Sequence, residues 1–232
     1  MAETVHRKQQ GGLSEPMTSL KDPHPFDEKT RALLPEYLEN LPIPIQLRVW
    51  GDPNFSTGER EAARLVKGLA DEFEQIEMAI LPRRVNYPYY PVIGVFSIDG
   101  EEVVDHGVRI IGLPAGLQIT SLIAAIQSVS FRGSNLEAKT RIQLSKLQND
   151  VDLELFTSAD DELGTIMAKS IFGMAAANQH IRSFLIMADV FYEALWQYSI
   201  REIPKLVVNS RTHSEGLLSE EAILKQIALA IN

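Results

Sequence analysis

The chain has 232 residues, of which 45% are hydrophobic and 23% are charged, and its formal net charge is -9. This composition is typical of a soluble globular protein, and the negative charge argues against nucleic acid as a partner. The chain contains no cysteine, which excludes disulfides, thiolate catalysis and thiolate metal sites. No apolar run reaches the roughly 18–20 residues that cross a bilayer, so we expect a cytoplasmic protein without a membrane partner.

The first half of the chain alternates strand and helix patterns after a polar tail. Residues 1 to about 26 are rich in Gly, Pro, Gln and Lys and are predicted to form a mobile tail. A short helix, "FDEKTRALLPEYLENL", precedes the strand "IPIQLRVWG", the turn "GDPNFSTG" and the amphipathic helix "EREAARLVKGLADEF". Three strands follow, "QIEMAIL", "YPYYPVIGVFSI" and "HGVRIIGL", the last two separated by "DGEEVVD". The helix "QITSLIAAIQSVS" ends this unit.

The second half repeats this order of elements, although not the residues. A mostly helical connector, "SNLEAKTRIQLSKLQND", leads to the strand "VDLELF", the turn "TSADDELG" and the helix "TIMAKSIFGMAAA". A strand in "QHIRSFLIMAD", a helix in "VFYEALWQYSI", a strand in "IPKLVVN", a short strand near "THSEGL" and a last helix capped by Ser219 complete it. We therefore expect a tail (1–26), a first unit (27–131), a connecting helix (132–150) and a second unit (151–232).

This element order is that of the thioredoxin fold, present twice, and one segment carries a specific motif. The segment at 106–130, "HGVRIIGLPAGLQITSLIAAIQSVS", matches the pattern G-[IV]-R-F-x-G-I-P-x-G-x-E-F through Gly107, Val108, Arg109, Gly112, Pro114 and Gly116. Gln118 and Ile119 stand where that pattern has an acid and an aromatic residue. The segment resembles the end of the first unit in the glutaredoxin-like tandem-thioredoxin protein disulfide oxidoreductases. It also resembles the N-terminal domain of the flavoprotein subunit of alkyl hydroperoxide reductase.

Further segments extend the resemblance over residues 28–232. The segment "LPEYLENLPIPIQLRVW" resembles the opening helix and strand of that domain, and "LELFTSADDELGTIMAKSIFGMAAAN" resembles its redox strand, turn and helix. The segment "SIREIPKLVVN" resembles its cis-proline loop and assigns that proline to Pro204. The resemblance implies an α/β fold, with two tandem thioredoxin folds that share a continuous central mixed β-sheet flanked by helices.

The redox motif of these relatives is missing from this chain. The resemblance implies that Asp160, Asp161, Glu162 and Leu163 occupy the four positions of Cys-x-x-Cys. Thiol–disulfide exchange needs an attacking thiolate and a second thiol, and neither a carboxylate nor leucine replaces them. The sequence therefore predicts a redox-inactive protein, not an enzyme, that needs no cofactor. The five histidines show no metal-ligand spacing, so we expect no metal site either.

Two features of the former redox site, its helix N-terminus and its cis-proline loop, each have two interpretations. Ser158, Asp160 and Asp161 are good helix N-caps. An anion at this helix N-terminus could also act as a binding site for a partner, at the position that the thiolate occupies in the relatives. The Ile203-Pro204 loop, and its counterpart Tyr90-Pro91, either only set a turn or also offer backbone for pairing with an extended peptide.

The sequence predicts a protein- or peptide-binding, scaffold or chaperone-like module, without naming its partner. One alternative is a non-redox enzyme that uses Asp160, Asp161 or Glu162 as acid or base, because crowded carboxylates raise one another's pKa. Another is a purely structural protein that associates with itself as a homo-oligomer. Annotation by homology would instead suggest a disulfide oxidoreductase.

Overall fold

One mixed sheet of eight strands lies at the centre of residues 25–231, which the computed structural model describes. The first half contains α1 (Glu28–Leu38), β1 (Ile45–Trp50), α2 (Thr57–Glu72), β2 (Ile76–Leu81), β3 (Val92–Asp99), β4 (Glu102–Ile111) and α3 (Gln118–Ser130). The second half contains α4 (Ala138–Leu144), β5 (Val151–Thr157), α5 (Glu162–Ala177), β6 (Ile181–Met187), α6 (Tyr192–Gln197), β7 (Lys205–Val208), β8 (Thr212–Glu215) and α7 (Glu220–Ile231).

The two halves arrange their strands in the same way. The sheet order is β2-β1-β3-β4-β6-β5-β7-β8. Strand β1 is parallel to β2 and antiparallel to β3, which is antiparallel to β4. Strands β5, β6, β7 and β8 repeat these relations, and the parallel pair β4 and β6 joins the halves. The predicted α/β thioredoxin-type fold with one continuous mixed sheet is confirmed.

Alternate strand residues feed two apolar clusters on opposite faces of the sheet. The larger cluster lies under the helices, where α2 buries the apolar stripe that its sequence spacing predicts and α3 packs against α5. The smaller cluster surrounds Trp50 and Phe156, and the segment 82–91 and helix α6 cover it. The second face is therefore only partly covered, which leaves room for a cleft.

Several element bounds differ from the sequence-based expectation. Strand β4 already begins at Glu102, because Asp99 and Gly100 form a tight hairpin with Gly100 at a φ of +67°. The segment "EEVVD" is therefore part of the strand and does not separate two strands. The predicted connecting helix at 132–150 is helical only over Ala138–Leu144, and α6 has only six residues.

The predicted N-terminal tail lies mostly outside the described residues. Its last residue, Phe26, is an exception, because its side chain is only 5% exposed and belongs to the larger core. Pro25 packs closely against Gly68 of α2, where a Cβ atom would lie 2.5 Å from the proline ring. The prediction was therefore wrong at this end: burial of an aromatic ring fixes the chain from Pro25 onward.

No helix within residues 25–231 combines the length and the apolar character that crossing a membrane requires. In the same part of the chain, no three His, Asp or Glu side chains converge as they would around a metal ion.

Candidate functional site

The former redox turn and the second cis-proline loop lie at the same end of the sheet. Strand β5 ends at Thr157, and α5 begins at Glu162. Phe156 is paired with Lys205, the first residue of β7, so the turn at 158–161 and the loop before β7 leave the sheet side by side. The Ile203-Pro204 peptide bond is cis, as the resemblance implied, and so is Tyr90-Pro91.

The carboxylates of the turn serve mainly its own local structure. The Asp161 side chain caps α5, accepting hydrogen bonds from the Gly164 N–H at 2.9 Å and the Thr157 hydroxyl at 2.9 Å. Asp160 accepts a hydrogen bond from the Ser158 hydroxyl at 2.7 Å. Asp160 and Glu162 are exposed. The carboxylates therefore do not converge on one point, and this arrangement favours capping over acid–base chemistry.

Gln118 connects the first half of the molecule to this turn. Its buried side-chain amide donates hydrogen bonds to the carbonyl oxygens of Ser158 at 2.9 Å and Asp161 at 3.0 Å, and to the Thr157 hydroxyl at 3.2 Å. Its own carbonyl oxygen accepts a hydrogen bond from Ser121 at 2.6 Å. An ionised glutamate at this position would face carbonyl oxygens without a proton to donate. Glutamine at position 118, where the family pattern has an acid, therefore fits the geometry. This difference from the pattern was the one feature of the sequence that could have indicated the contact.

The backbone on either side fixes the same turn. The N–H of Leu117 donates to the carbonyl oxygen of Ala159 at 2.8 Å, and the Ala159 N–H donates to the Asp189 carboxylate at 3.1 Å. Gly116 has a φ of +57°, and a Cβ atom there would lie 2.5 Å from the same carbonyl oxygen. Glycine is therefore required where the "GLPAG" turn approaches the former redox turn.

The two cis-proline loops share one hydrogen-bonding pattern. Gly216 donates its N–H to the carbonyl oxygen of Pro204 at 2.8 Å, and Gly112 donates to Pro91 at 2.8 Å. Both glycines have positive φ, at +80° and +99°. The prolines are buried, whereas the main chain of Ile203 makes no hydrogen bond to any other residue in 25–231. Whether a ligand pairs there stays a prediction.

In the first half, the turn that corresponds to the former redox turn is occupied by an ion pair between Glu59 and Arg83. Glu59 is 1% exposed and accepts hydrogen bonds from the Asp52 N–H at 2.6 Å, the Ser56 hydroxyl at 2.7 Å and the Arg83 guanidinium at 2.5–2.9 Å. Burial raises the pKa of Glu59, but these donors together hold it below its usual value. Arg83 also stacks on Phe55, 3.7 Å from the ring centre. Sequence reasoning missed this contact because Glu59 and Arg83 are 24 positions apart.

The two turns lie at the same edge of the sheet. The strand pairings make β1 and β5 parallel, so that both end at this edge with three strands between them. Four strand spacings of about 4.8 Å separate the turns by about 19 Å. Tyr90 lies beside the turn of the first half, because the Arg83 guanidinium is 5.1 Å from its ring centre, and its hydroxyl donates to the carbonyl oxygen of Arg84.

Comparisons with known proteins agree with this geometry. No family model matches the chain. Over 202 residues the chain is 23% identical to an NADH dehydrogenase of Bacillus subtilis, covering 87% of this chain and 38% of that protein. It is also 23% identical over 202 residues to the AhpF-type alkyl hydroperoxide reductase component of Pseudomonas aeruginosa, covering 87% and 37%. The chain thus spans less than two fifths of the length of these curated relatives.

Two solved structures show the same fold. The NTD_N/C domain of alkylhydroperoxide reductase AhpF from Enterococcus faecalis superposes with a TM-score of 0.79 at 18% identity, covering 87% of this chain and 99% of that one. A protein disulfide oxidoreductase from Aeropyrum pernix superposes with a TM-score of 0.75 at 20% identity, covering 87% and 91%. The resemblance is confirmed: the chain has the thioredoxin-like fold of these proteins, and its sequence lacks the Cys-x-x-Cys motif.

Proposed function

We propose that the chain is a redox-inactive thioredoxin-like module that binds an extended segment of a protein partner, as a scaffold or chaperone-like protein would. The segment pairs with the Ile203-Pro204 loop beside the start of α5. One observation carries the proposal: the Ile203 main chain has no hydrogen-bond partner within residues 25–231, next to a turn without a thiol.

The surroundings of this loop suit an extended peptide. An unpaired N–H and C=O beside a sheet supply the main-chain hydrogen bonds of β-type peptide recognition. Three apolar side chains near the loop are partly exposed: Ile203 (38%), Leu163 (42%) and Leu217, which follows the Gly216 contact (49%). The exposed carboxylate of Asp160 adds a negative charge at the helix start. A segment with apolar side chains and a nearby basic residue therefore fits best.

The redox part of the proposal rests on chemistry. Exchange requires a thiolate that attacks a disulfide and a second thiol that resolves the mixed disulfide. The chain has neither, because it contains no cysteine. In an insulin-reduction assay with dithiothreitol, we expect the rate to equal that of dithiothreitol alone. A rate well above this control, proportional to the concentration of the purified chain, would contradict the proposal.

The binding part is tested by cross-linked capture from the native cell. We compare the wild-type chain with Ile203→Asp and with a matched control, Ile142→Asp, whose side chain is 60% exposed on α4. We expect a defined partner with the wild type and the control, and its loss with Ile203→Asp. Equal capture by all three chains would refute the assignment. Capture of the chain itself would instead support the self-association alternative.

The Asp160→Ala variant separates the two interpretations of the turn. A weaker partner signal with this variant, at unchanged thermal stability, would assign a recognition role to the Asp160 charge. Unchanged capture would leave Asp160 with a local structural role, through its hydrogen bond from Ser158.

A further inference from the structure

A cleft of about 670 Å³ opens on the face of the sheet opposite the main helix layer. Its floor is formed by the central strands β4, β6 and β5. One wall is the segment 84–89 before β3, and the other includes Tyr198 just after α6. The cleft shares no residue with the Ile203-Pro204 loop or with the turn at 158–161.

The strand pairings fix which side chains share the floor. Phe184 of β6 is opposite Arg109 on one side and Glu154 on the other. Because neighbouring strands lie about 4.8 Å apart, the Cα atoms of Arg109 and Glu154 are separated by about 10 Å. Two residues further along the strands, Ile111 and Ile186 form an apolar inner end. The floor therefore has an apolar inner end and an aromatic ring between Arg109 and Glu154, and further charged side chains line the cleft around it.

Most of the charges in the cleft are already paired. The guanidinium of Arg109 donates to the Asp105 carboxylate at 2.5 and 3.0 Å, and to the Tyr87 hydroxyl at 2.9 Å. Arg182 donates to Asp152 at 2.6 and 2.7 Å. Within each pair the two charges neutralise each other, so neither pair adds net charge to the cleft.

Glu154 is the exception among the acids of the cleft. Its carboxylate accepts one hydrogen bond, from the Tyr198 hydroxyl at 3.1 Å, and forms no ion pair within residues 25–231. Burial, together with the nearby Asp152 charge, raises the pKa of Glu154. Its counterpart across the cleft is Arg84, which likewise forms no ion pair within the described residues. A ligand cation beside Glu154 would supply the missing countercharge.

Aromatic rings line the floor and both walls of the cleft. Phe184 lies on the floor next to Glu154, and Tyr198 stands over Phe156 with ring centres 4.6 Å apart. Tyr89 stacks on Phe191 at 4.6 Å and holds the 84–89 wall against the α6 region. Aromatic faces attract cations, most strongly where water is excluded. Carboxylate and rings together therefore favour the same kind of ligand.

We propose that this cleft binds an organic cation, a protonated amine or a guanidinium, whose charge pairs with Glu154 beside the rings of Phe184 and Tyr198, and whose apolar part packs towards Ile111 and Ile186. The net charge of -9 draws cations to the protein. Arg84 on the opposite wall repels a cation and therefore disfavours a ligand whose charged end points towards that wall. The cation belongs either to a free amine or to a lysine or arginine side chain of a peptide, since both offer the same chemistry.

Calorimetric titration with three probes tests this proposal: phenethylamine as a free amine, N-acetyl-Phe-Lys-amide as a peptide cation, and 2-phenylethanol as the uncharged analogue. We expect at least one cation to bind at least about tenfold more tightly than the alcohol. Preference for the dipeptide would indicate a lysine side chain as ligand, and preference for phenethylamine a free amine. Glu154→Gln should abolish the difference, whereas Glu101→Gln, the same charge change in the exposed β3–β4 hairpin, should keep it.

Two results would overturn the proposal: cations that bind no more tightly than 2-phenylethanol, or unchanged affinities in Glu154→Gln. If that variant does not fold, Phe184→Leu provides a second test, because it keeps an apolar floor and removes the aromatic face. We then expect weaker binding of the cations and little change for the alcohol. Equal affinities of Phe184→Leu and the wild type for the cations would also contradict the proposal.

Discussion

Replacing Gln118 with leucine tests whether the first half of the molecule holds the former redox turn. Leucine has a similar size but forms no hydrogen bonds, so the carbonyl groups of Ser158 and Asp161 lose the bonds from the Gln118 amide, and the Ser121 hydroxyl loses its acceptor. Each buried polar group left without a partner costs about 1–3 kcal/mol. The Ser158 carbonyl oxygen still accepts a hydrogen bond from the Asp161 N–H at 3.2 Å, so the Ser121 hydroxyl is the buried group that loses its partner. Together with the two lost amide hydrogen bonds, this should lower the free energy of unfolding by about 3 kcal/mol.

Urea unfolding followed by circular dichroism measures this loss. The matched control is Gln127→Leu on the same helix, because Gln127 donates one hydrogen bond to the Tyr37 carbonyl at 3.2 Å in an exposed setting. The control should lose no more than about 1 kcal/mol. Equal losses for the two variants, or a loss below about 1 kcal/mol for Gln118→Leu, would refute the reasoning.

The Gln118→Glu variant adds a dependence on pH. Burial among carbonyl oxygens should raise the pKa of the introduced carboxyl group, because only its protonated form can donate a hydrogen bond. A raised folded-state pKa means that stability is greatest below the unfolded pKa of about 4.3 and falls as pH rises through the folded value. Unfolding measured between about pH 4 and pH 7 should show a steeper loss for the variant than for the wild type.

Three further predictions concern other groups. Glu59→Gln should lower the free energy of unfolding by about 2 kcal/mol at neutral pH, because the charge facing Arg83 is lost. Since the folded pKa of Glu59 is lowered, this difference should vanish as pH falls through that value. Glu154→Gln should become more stable than the wild type as pH rises above about 4.3, because the pKa of Glu154 is raised in the fold. The double variant Asp160→Cys, Leu163→Cys should form a disulfide and accelerate insulin reduction, since a helix N-terminus stabilises a thiolate.

Each of these has a direct readout. Urea unfolding at several pH values checks the two glutamate variants, and a difference from the wild type that does not change with pH would contradict either assignment. Mass spectrometry of the oxidised double variant detects the loss of two hydrogens. The control, Asp160→Ser with Leu163→Ser, should remain inactive. A double-cysteine variant that folds, oxidises and still leaves insulin reduction at the control rate would argue against this turn as the redox position.

Much of the fold was predictable from local patterns. The apolar stripe of α2, the alternation in β1 and the carboxylate cap of α5 depend on residues only a few positions apart, so the sequence displays them directly. The resemblance of "SIREIPKLVVN" to the family's cis-proline loop located Pro204, and the repeated order of elements located its counterpart Pro91. The bounds of β4 and α6 were less accurate, because hairpin geometry and tertiary packing decide where such elements begin and end.

The candidate sites depended more on contacts between distant segments. Gln118 and Ser158 are 40 positions apart, and no periodic pattern links an amide on one helix to a carbonyl oxygen of another turn. The same applies to the Glu59–Arg83 pair and to the row of Arg109, Phe184 and Glu154, which exists only because β6 pairs in parallel with both β4 and β5.

The sequence by itself determined that these 232 residues supply no thiolate, because a chain without cysteine has none in any conformation. It also determined the α/β element order, because the periodicity of apolar residues is local. Only the tertiary structure decided what surrounds the empty redox position and where an unpaired charge lies. Those properties arise when strands from the two halves join one sheet and bring distant side chains together. Glu154 is the clearest case, since its lack of a counterion within residues 25–231 depends on every neighbour that the fold places around it.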